Sequence, residues 1–324
     1  MRRSLPLKWL ISLFIGLAAA SPHAQTYPRG PVHLIVPFAP GSTPDLVARL
    51  VGERLGARLG QPVVVDNKPG ASGNIGTNAV AKAPPDGQTL GIGIAGTLAV
   101  NALLYKKMSY DPARDIELIT VAASQPAVLV TSSKFAADNA IDLLAQLKKN
   151  PGKYSFASIG AGSASHLAMQ ALAARSSANL VHVPYPGSGA AVTAIISGEV
   201  DMGVLPAATV MPFVKSGRIK ALAIASSKRS AFLPQLPTLA EVGAPEIQAD
   251  AWIGIVAPAR TPPEIVNRLR SELVQILAEP SVQEKLHAQY MEPVANTPAQ
   301  FRSMVNDEVT RWKPVIEKNG ITLD

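Results

Sequence analysis

The stretch Val32-His-Leu-Ile-Val-Pro-Phe-Ala-Pro-Gly-Ser-Thr-Pro-Asp-Leu-Val-Ala-Arg49 constrains the fold more than any other part of the chain. An apolar, β-branched run meets a Gly/Pro/Ser turn, and apolar positions then recur at helical spacing. That order predicts a buried strand, a tight turn and a helix. Thr43 suits the cap of this helix and Pro44 its first position, with Leu46, Val47, Leu50, Val51 and Leu55 forming the apolar stripe. A strand that enters a helix through a glycine turn leaves backbone N–H groups unpaired at the positive end of the helix dipole. Such a turn can hold an anion.

The same alternation runs along the chain. Strands are expected at 32–38, 63–66, 89–95, 128–131, 154–158, 181–184, 200–205, 221–226 and 252–257, with helices at 44–59, 139–149, 164–175 and 188–197. Nearly continuous apolar strands separated by helices predict parallel sheets covered on both faces. Thr261-Pro-Pro-Glu264 and Thr297-Pro-Ala-Gln300 both match a capping box. The final helix carries Phe301, Met304, Val305 and Trp312 on one side and stops near Gly320.

The N-terminus sets the compartment. Met1-Arg-Arg-Ser-Leu-Pro-Leu-Lys8 is basic, and an apolar run from Trp9 ends in Ala18-Ala-Ala20. This is the pattern of a secretory leader, residues 1–24, with cleavage after Ala20 or Ala24; it predicts export to the periplasm as a soluble protein. The 324-residue chain has a formal net charge of +7, and removal of the three basic residues of the leader leaves +4. The excess is dispersed, which argues against nucleic acid as a partner. There is no cysteine, so disulfides, a thiol nucleophile and cysteine-ligated metals are excluded. The five histidines lack paired spacing, and no Gly-x-Ser-x-Gly elbow occurs, so neither a metal centre nor a catalytic residue is expected.

Three further glycine-rich turns follow predicted strands: 67–76, with Ala71 and Ser72; 158–163, Ser158-Ile159-Gly160-Ala-Gly162-Ser163; and 184–189, with Tyr185 and Gly187. The second of these repeats the strand–turn–helix logic of 32–49 and opens a helix at Ala164-Ser-His166. No Gly-Lys-Ser/Thr follows it, and Ser165 stands where a dinucleotide fingerprint would carry its third glycine. Ligand loops gather at the carboxyl ends of strands in such folds.

Taken together these segments resemble a family. Tyr27-Pro-Arg-Gly-Pro-Val-His-Leu-Ile-Val-Pro-Phe-Ala-Pro-Gly41, Leu59-Gly-Gln-Pro-Val-Val-Val-Asp-Asn-Lys-Pro-Gly-Ala-Ser-Gly73, Ala83-Pro-Pro-Asp-Gly-Gln-Thr-Leu90, Tyr110-Asp-Pro-Ala-Arg-Asp115, Gly160-Ala-Gly-Ser-Ala-Ser-His-Leu167, His182-Val-Pro-Tyr185, Leu236-Pro-Thr-Leu-Ala-Glu-Val-Gly243 and Trp252-Ile-Gly-Ile-Val-Ala-Pro258 are similar to the Bug, or TctC-like, proteins. These are extracytoplasmic solute receptors of tripartite tricarboxylate transporters. The resemblance implies an α/β type II periplasmic binding fold, with mixed, mainly parallel sheets in two lobes joined by two crossovers. Lobe one would be 26–127 plus 247–324, and lobe two 128–246. It implies a monomer without cofactor that closes on a small organic acid and meets inner-membrane transporter subunits. A receptor that signals to a sensor kinase, and an exported hydrolase, are the alternative functions. The carboxylate would be held by backbone amides of turns 38–42 and 158–163 and by ordered water. Carried over residue by residue, the ligand site is Phe38, Pro40, Gly41, Ser42, Asp45, Ala71, Ser72, Thr97, Ser158, Ile159, Gly160, Gly162, Ser163, His166, Tyr185 and Gly187. The chain departs from the family pattern at Ser42, where a second glycine is usual, at Pro186, where lysine is common, and at Ala190, where proline is frequent.

Overall fold

The computed structural model describes residues 27–323; the expected leader, 1–24, lies outside them. The chain builds two mixed sheets. The first takes β1 (Val32–Val36), β2 (Val63–Asn67), β3 (Thr89–Gly93) and β4 (Ile116–Gln125), and the second takes β5 (Ala127–Ser132), β6 (Ser155–Ser158), β7 (Val181–Pro184), β8 (Met202–Pro206) and β9 (Ile219–Ile224). The chain then returns to the first sheet as β10 (Ala251–Pro258) and β11 (Glu292–Pro293). Strand orders are β11-β4-β10-β3-β1-β2 and β7-β6-β8-β5-β9. The helices are α1 (Thr43–Leu59), α2 (Asn74–Ala81), α3 (Asn101–Leu104), α4 (Ala140–Lys149), α5 (Ala164–Arg175), α6 (Ser188–Ser197), α7 (Ala207–Lys215), α8 (Pro263–Leu277), α9 (Pro280–His287) and α10 (Pro298–Asn319). Among the described residues no helix is long and apolar enough to cross a membrane.

The sheets are mixed as expected, but parallel pairing is confined to β1–β2, β1–β3, β6–β7 and β6–β8. The other pairings are antiparallel, because β10 inserts between β3 and β4, and β5 inserts between β8 and β9. The chain passes between sheets twice, through Pro126 and through residues 225–250. No strand is expected from sequence at Ile116–Gln125, because Glu117, Thr120 and Ser124 interrupt the apolar run and leave it neither continuous nor alternating.

Two end signals read differently in three dimensions. Ser42, not Thr43, is the N-cap residue of α1, with φ −69° and ψ 157°. Val47, Val51 and Leu55 of the expected stripe are buried, joined by Ala48 and Leu59, while Leu46 is 46% exposed, Leu50 is half-buried, and Pro44 takes the second helical position, not the first. The Thr297/Gln300 capping box forms in full at α10, whereas Thr261 turns its hydroxyl back to the Pro258 carbonyl (2.7 Å) and α8 starts two residues later.

One apolar cluster runs through both sheets, joining Leu98, Leu104 and Val121 to Leu129, Phe156, Leu167 and Leu172, with Trp312 of α10 fully buried within it. Separate clusters pack α1 and α8 on the first sheet and α6 and α7 on the second. The carboxyl ends of β1 and β6 lead into turns 38–42 and 159–163, whose tips at Pro40 and Ala161 are exposed.

Candidate functional site

The turns after β1 and β6 are built alike. Each has a glycine in the left-handed region, Gly41 (φ 79°) and Gly162 (φ 75°), followed by a serine N-cap, Ser42 and Ser163, with nearly identical dihedrals. Each serine amide donates to the carbonyl three residues back, Ala39 or Gly160 (3.2 Å in both). Each glycine amide donates to the side chain four residues on. Gly41 N–H reaches Asp45 Oδ2 at 2.8 Å, and Gly162 N–H reaches His166 Nδ1 at 3.1 Å. With these bonds made, the amides of Thr43 and Asp45 in one turn, and of Ala164 and Ser165 in the other, have no intrahelical acceptor.

The acceptor side chains are held differently. Asp45 is buried and receives Arg49 Nε (3.0 Å) on Oδ2 and Asn67 Nδ2 (2.9 Å) on Oδ1; Asn67 Nδ2 also donates to the Phe38 carbonyl at 2.9 Å. Burial alone would raise this carboxyl, but the hydrogen bonds from Arg49, Gly41 and Asn67 outweigh it and hold it below the usual carboxylate range. His166 stacks on His182 at 3.8 Å between ring centroids, and His182 stacks on Phe156 at 4.9 Å. Burial, then the neighbouring His182, pushes His166 down to about 4, and burial lowers His182. Both rings are therefore neutral at pH 7. His182 Nε2 lies 2.7 Å from Ser158 Oγ, which in turn accepts the Gly160 amide (3.2 Å).

The capping serines also differ. Ser163 Oγ accepts the His166 amide at 3.2 Å and donates to the Gly160 carbonyl at 2.6 Å. Ser42 Oγ is buried and has no partner, and neither does the buried Ser165 Oγ.

The third turn joins the first through Gly73, where a Cβ would lie 2.7 Å from Thr97 Cγ2 and 3.0 Å from Phe38 Cζ. Ala71 and Ser72 adopt left-handed φ values of 46° and 53°, a conformation that costs energy for residues with a Cβ and clusters at ligand clamps. Asn101 Nδ2 holds the Ser72 carbonyl (3.1 Å) and Asn74 Oδ1 (2.7 Å), and Ser72 Oγ meets the Tyr105 hydroxyl at 3.0 Å.

The carried-over residues thus fall into two groups. Phe38, Gly41, Ser42, Asp45, Ala71, Ser72 and Thr97 gather at the first sheet, with Pro40 exposed at the turn's tip. Thr97 is fully buried and its hydroxyl stays within its own turn, 3.3 Å from the Ile94 amide. Ser158, Gly160, Gly162, Ser163 and His166 gather at the second sheet, where Ile159 packs on the apolar face. Tyr185 donates its hydroxyl to Glu199 (2.8 Å), and burial, then that partner, pushes the phenol up to about 12; Gly187 serves as N-cap of α6. Among the described residues no hydrogen bond joins turns 38–42 and 158–163. The second turn instead touches the first sheet's side at Gly162, where a Cβ would lie 2.5 Å from Leu104 Cδ1 and 3.1 Å from Leu323 Cδ1. Asn67, Asn101 and His182 are missing from the sequence-derived site. Arg49 alone had a local signal, its spacing of four from Asp45.

Two α/β sheets, each presenting a matched helix-N-terminal turn, define a two-lobed periplasmic solute-binding protein. The chain belongs to the tripartite tricarboxylate transporter receptor family: residues 47–321 match the model of the family described as "Tripartite tricarboxylate transporter family receptor". It is 39% identical over 317 residues to protein BugT of Bordetella pertussis (strain Tohama I), which covers 97% of both chains. Among solved structures, it is similar to an R. palustris protein with adipate (TM-score 0.81, 34% identity, 91% of this chain and 99% of that one). It is also similar to MatC from Rhodopseudomonas palustris with bound malate (TM-score 0.77, 30% identity, 90% of this chain and all of that one).

Proposed function

We propose that this protein is an exported, non-catalytic receptor that captures a small carboxylate between two lobes and delivers it to a tripartite tricarboxylate transporter in the inner membrane. The lobes are 26–127 with 247–324, and 128–246, and they hinge at the two crossovers. The observation that carries the reading is the pair of matched turns, one per sheet, each with two uncommitted amides at a helix N-terminus. Adipate and malate in two similar proteins point to the same ligand class.

Magnitudes require both turns. A helix end contributes roughly 0.3–1 kcal/mol to an anion, and each hydrogen bond to a charged group about 1.5–3 kcal/mol. Micromolar binding needs about 8 kcal/mol after association costs, more than either turn alone supplies. The four amides of Thr43, Asp45, Ala164 and Ser165 and the two helix ends supply roughly 7–14 kcal/mol before association costs, so both turns and further donors must converge on the carboxylate, and sharing requires that the lobes close.

A thermal-shift screen of the refolded protein against dicarboxylates, tricarboxylates, amino acids and aromatic acids tests this, with the corresponding amides as neutral controls. Ligand binding to the native state raises the melting temperature with concentration over Kd. At least one acid, and not its amide, is expected to do so. A flat response across the panel would remove the receptor reading.

A further inference from the structure

His166 entered as a candidate ligand contact, but its geometry gives it other work. Its Nδ1 accepts the Gly162 amide, its ring is stacked against His182, and its Nε2 faces the Gln170 side-chain amide at 3.4 Å. His166 is 5% exposed. It occupies the same place in its turn that Asp45 occupies in the other, four residues after the left-handed glycine and three after the capping serine.

We propose that His166 is a positioning residue for the second ligand turn: its unprotonated Nδ1 holds the Gly162 amide, so that protonation of this one ring releases the turn and weakens ligand binding. The proposal rests on the receptor reading above. An imidazolium has two N–H donors and no acceptor, so a protonated His166 would set its Nδ1–H against the Gly162 N–H. Gly162 has little room to move away, because Leu104 and Leu323 pack against it. The first turn has no such weakness, since the carboxylate of Asp45 is stabilised as an anion by its three donors. Around the rings stand Phe156 and Ser158 of β6, His182 of β7 and Gln170 of α5; among the described residues the one titratable group acting on His166 is His182. Burial disfavours the first proton on either ring and a proton on one repels a proton on the other, which keeps His166 neutral through the ordinary histidine range. The release therefore belongs to acid conditions, around pH 4 and below.

His166→Asn and His166→Gln separate this role from simple packing. Asparagine carries its amide oxygen on Cγ, the atom that bears Nδ1 in histidine, and does not titrate; glutamine moves the oxygen one bond away. Calorimetric affinities for adipate or malate, whichever the screen finds, are measured at pH 7 and pH 4. Wild type is expected to lose about twofold more affinity between these values than His166→Asn, because a group titrating near 4 is half protonated at pH 4 and the ligand's own titration is common to both. His166→Gln is expected to bind about tenfold more weakly already at pH 7. Amide exchange of Gly162, read by NMR without ligand, is expected to be slow in wild type and His166→Asn and fast in His166→Gln. Superimposable pH profiles for wild type and His166→Asn, or unchanged Gly162 exchange in His166→Gln, would overturn the proposal. Absence of any binding with the expected exchange pattern would instead overturn the receptor reading and leave the turn's architecture standing.

Discussion

The turn after β1 and the turn after β6 share one backbone device and differ in what secures it. Both use a left-handed glycine, a serine N-cap and a side chain at the third helical position that takes the glycine amide. In the first turn that side chain is an ionised Asp45 within a charged network, and Ser42 is left uncommitted. In the second it is a neutral His166 in an aromatic stack, and Ser163 is fully engaged. The difference teaches that the backbone geometry, not the chemistry of its support, is what the two turns have in common. A ligand-binding anion hole needs aligned amides, and either a buried carboxylate or a buried imidazole can align them.

The largest effect is expected where the charged support is removed. Asp45→Ala leaves the Gly41 amide, Asn67 and Arg49 without their acceptor, and should cost about 2–3 kcal/mol of stability, less than a fully buried pair because Arg49 can turn to water. Chemical denaturation measures it; a loss under about 0.5 kcal/mol would mean the first turn holds itself. Ligand affinity should fall at least about tenfold in the same variant, by calorimetry.

The next comparison is in pH. His166 has its folded value depressed to about 4, so the unfolded state binds the proton more readily, and its contribution to stability is lost as pH falls from about 6.5 toward 4. Asp250, at the crossover beside Ser226, behaves oppositely. Burial pushes it up to about 7, with the Glu308 charge adding to the effect, so it stabilises the fold at low pH and loses that contribution as pH rises from about 4 through 7. Wild-type melting temperature should therefore change little across this window. His166→Asn should make it fall as pH rises, and Asp250→Asn should make it fall as pH drops. Identical profiles for all three proteins would contradict the assignment.

The smallest effect separates the serines. Ser163→Ala removes a working cap and should cost about 1 kcal/mol, whereas Ser42→Ala removes an unpartnered hydroxyl and should stay within about 0.5 kcal/mol. Melting curves of the two variants should differ by about 1–2 °C, and equal losses would erase the distinction.

Much of this was legible in the sequence because it is local. The two strand–turn–helix units, the capping box at Thr297 and the stop at Gly320 depend on residues within a few positions of each other. The cap of α1 was misplaced by one residue because Ser42 and Thr43 are equally able to cap, and no short-range signal chooses between them. The supports of the turns were not legible. Asn67 lies 22 residues from Asp45, and His182 lies 16 from His166; both arrive through strand pairing, of β2 with β1 and of β7 with β6. β4 escaped notice because Glu117, Thr120 and Ser124 break its apolar run without a period of two, and its neighbour β10 comes from the far end of the chain.

The central claim is that one anion engages both turns at once. The direct measurement is an NMR titration of the isotopically labelled protein with adipate or malate, following the amides of Thr43, Asp45, Ala164 and Ser165. The account predicts that all four shift along a single binding curve with one Kd. Response at one turn alone, with the other unmoved at saturation, would contradict it.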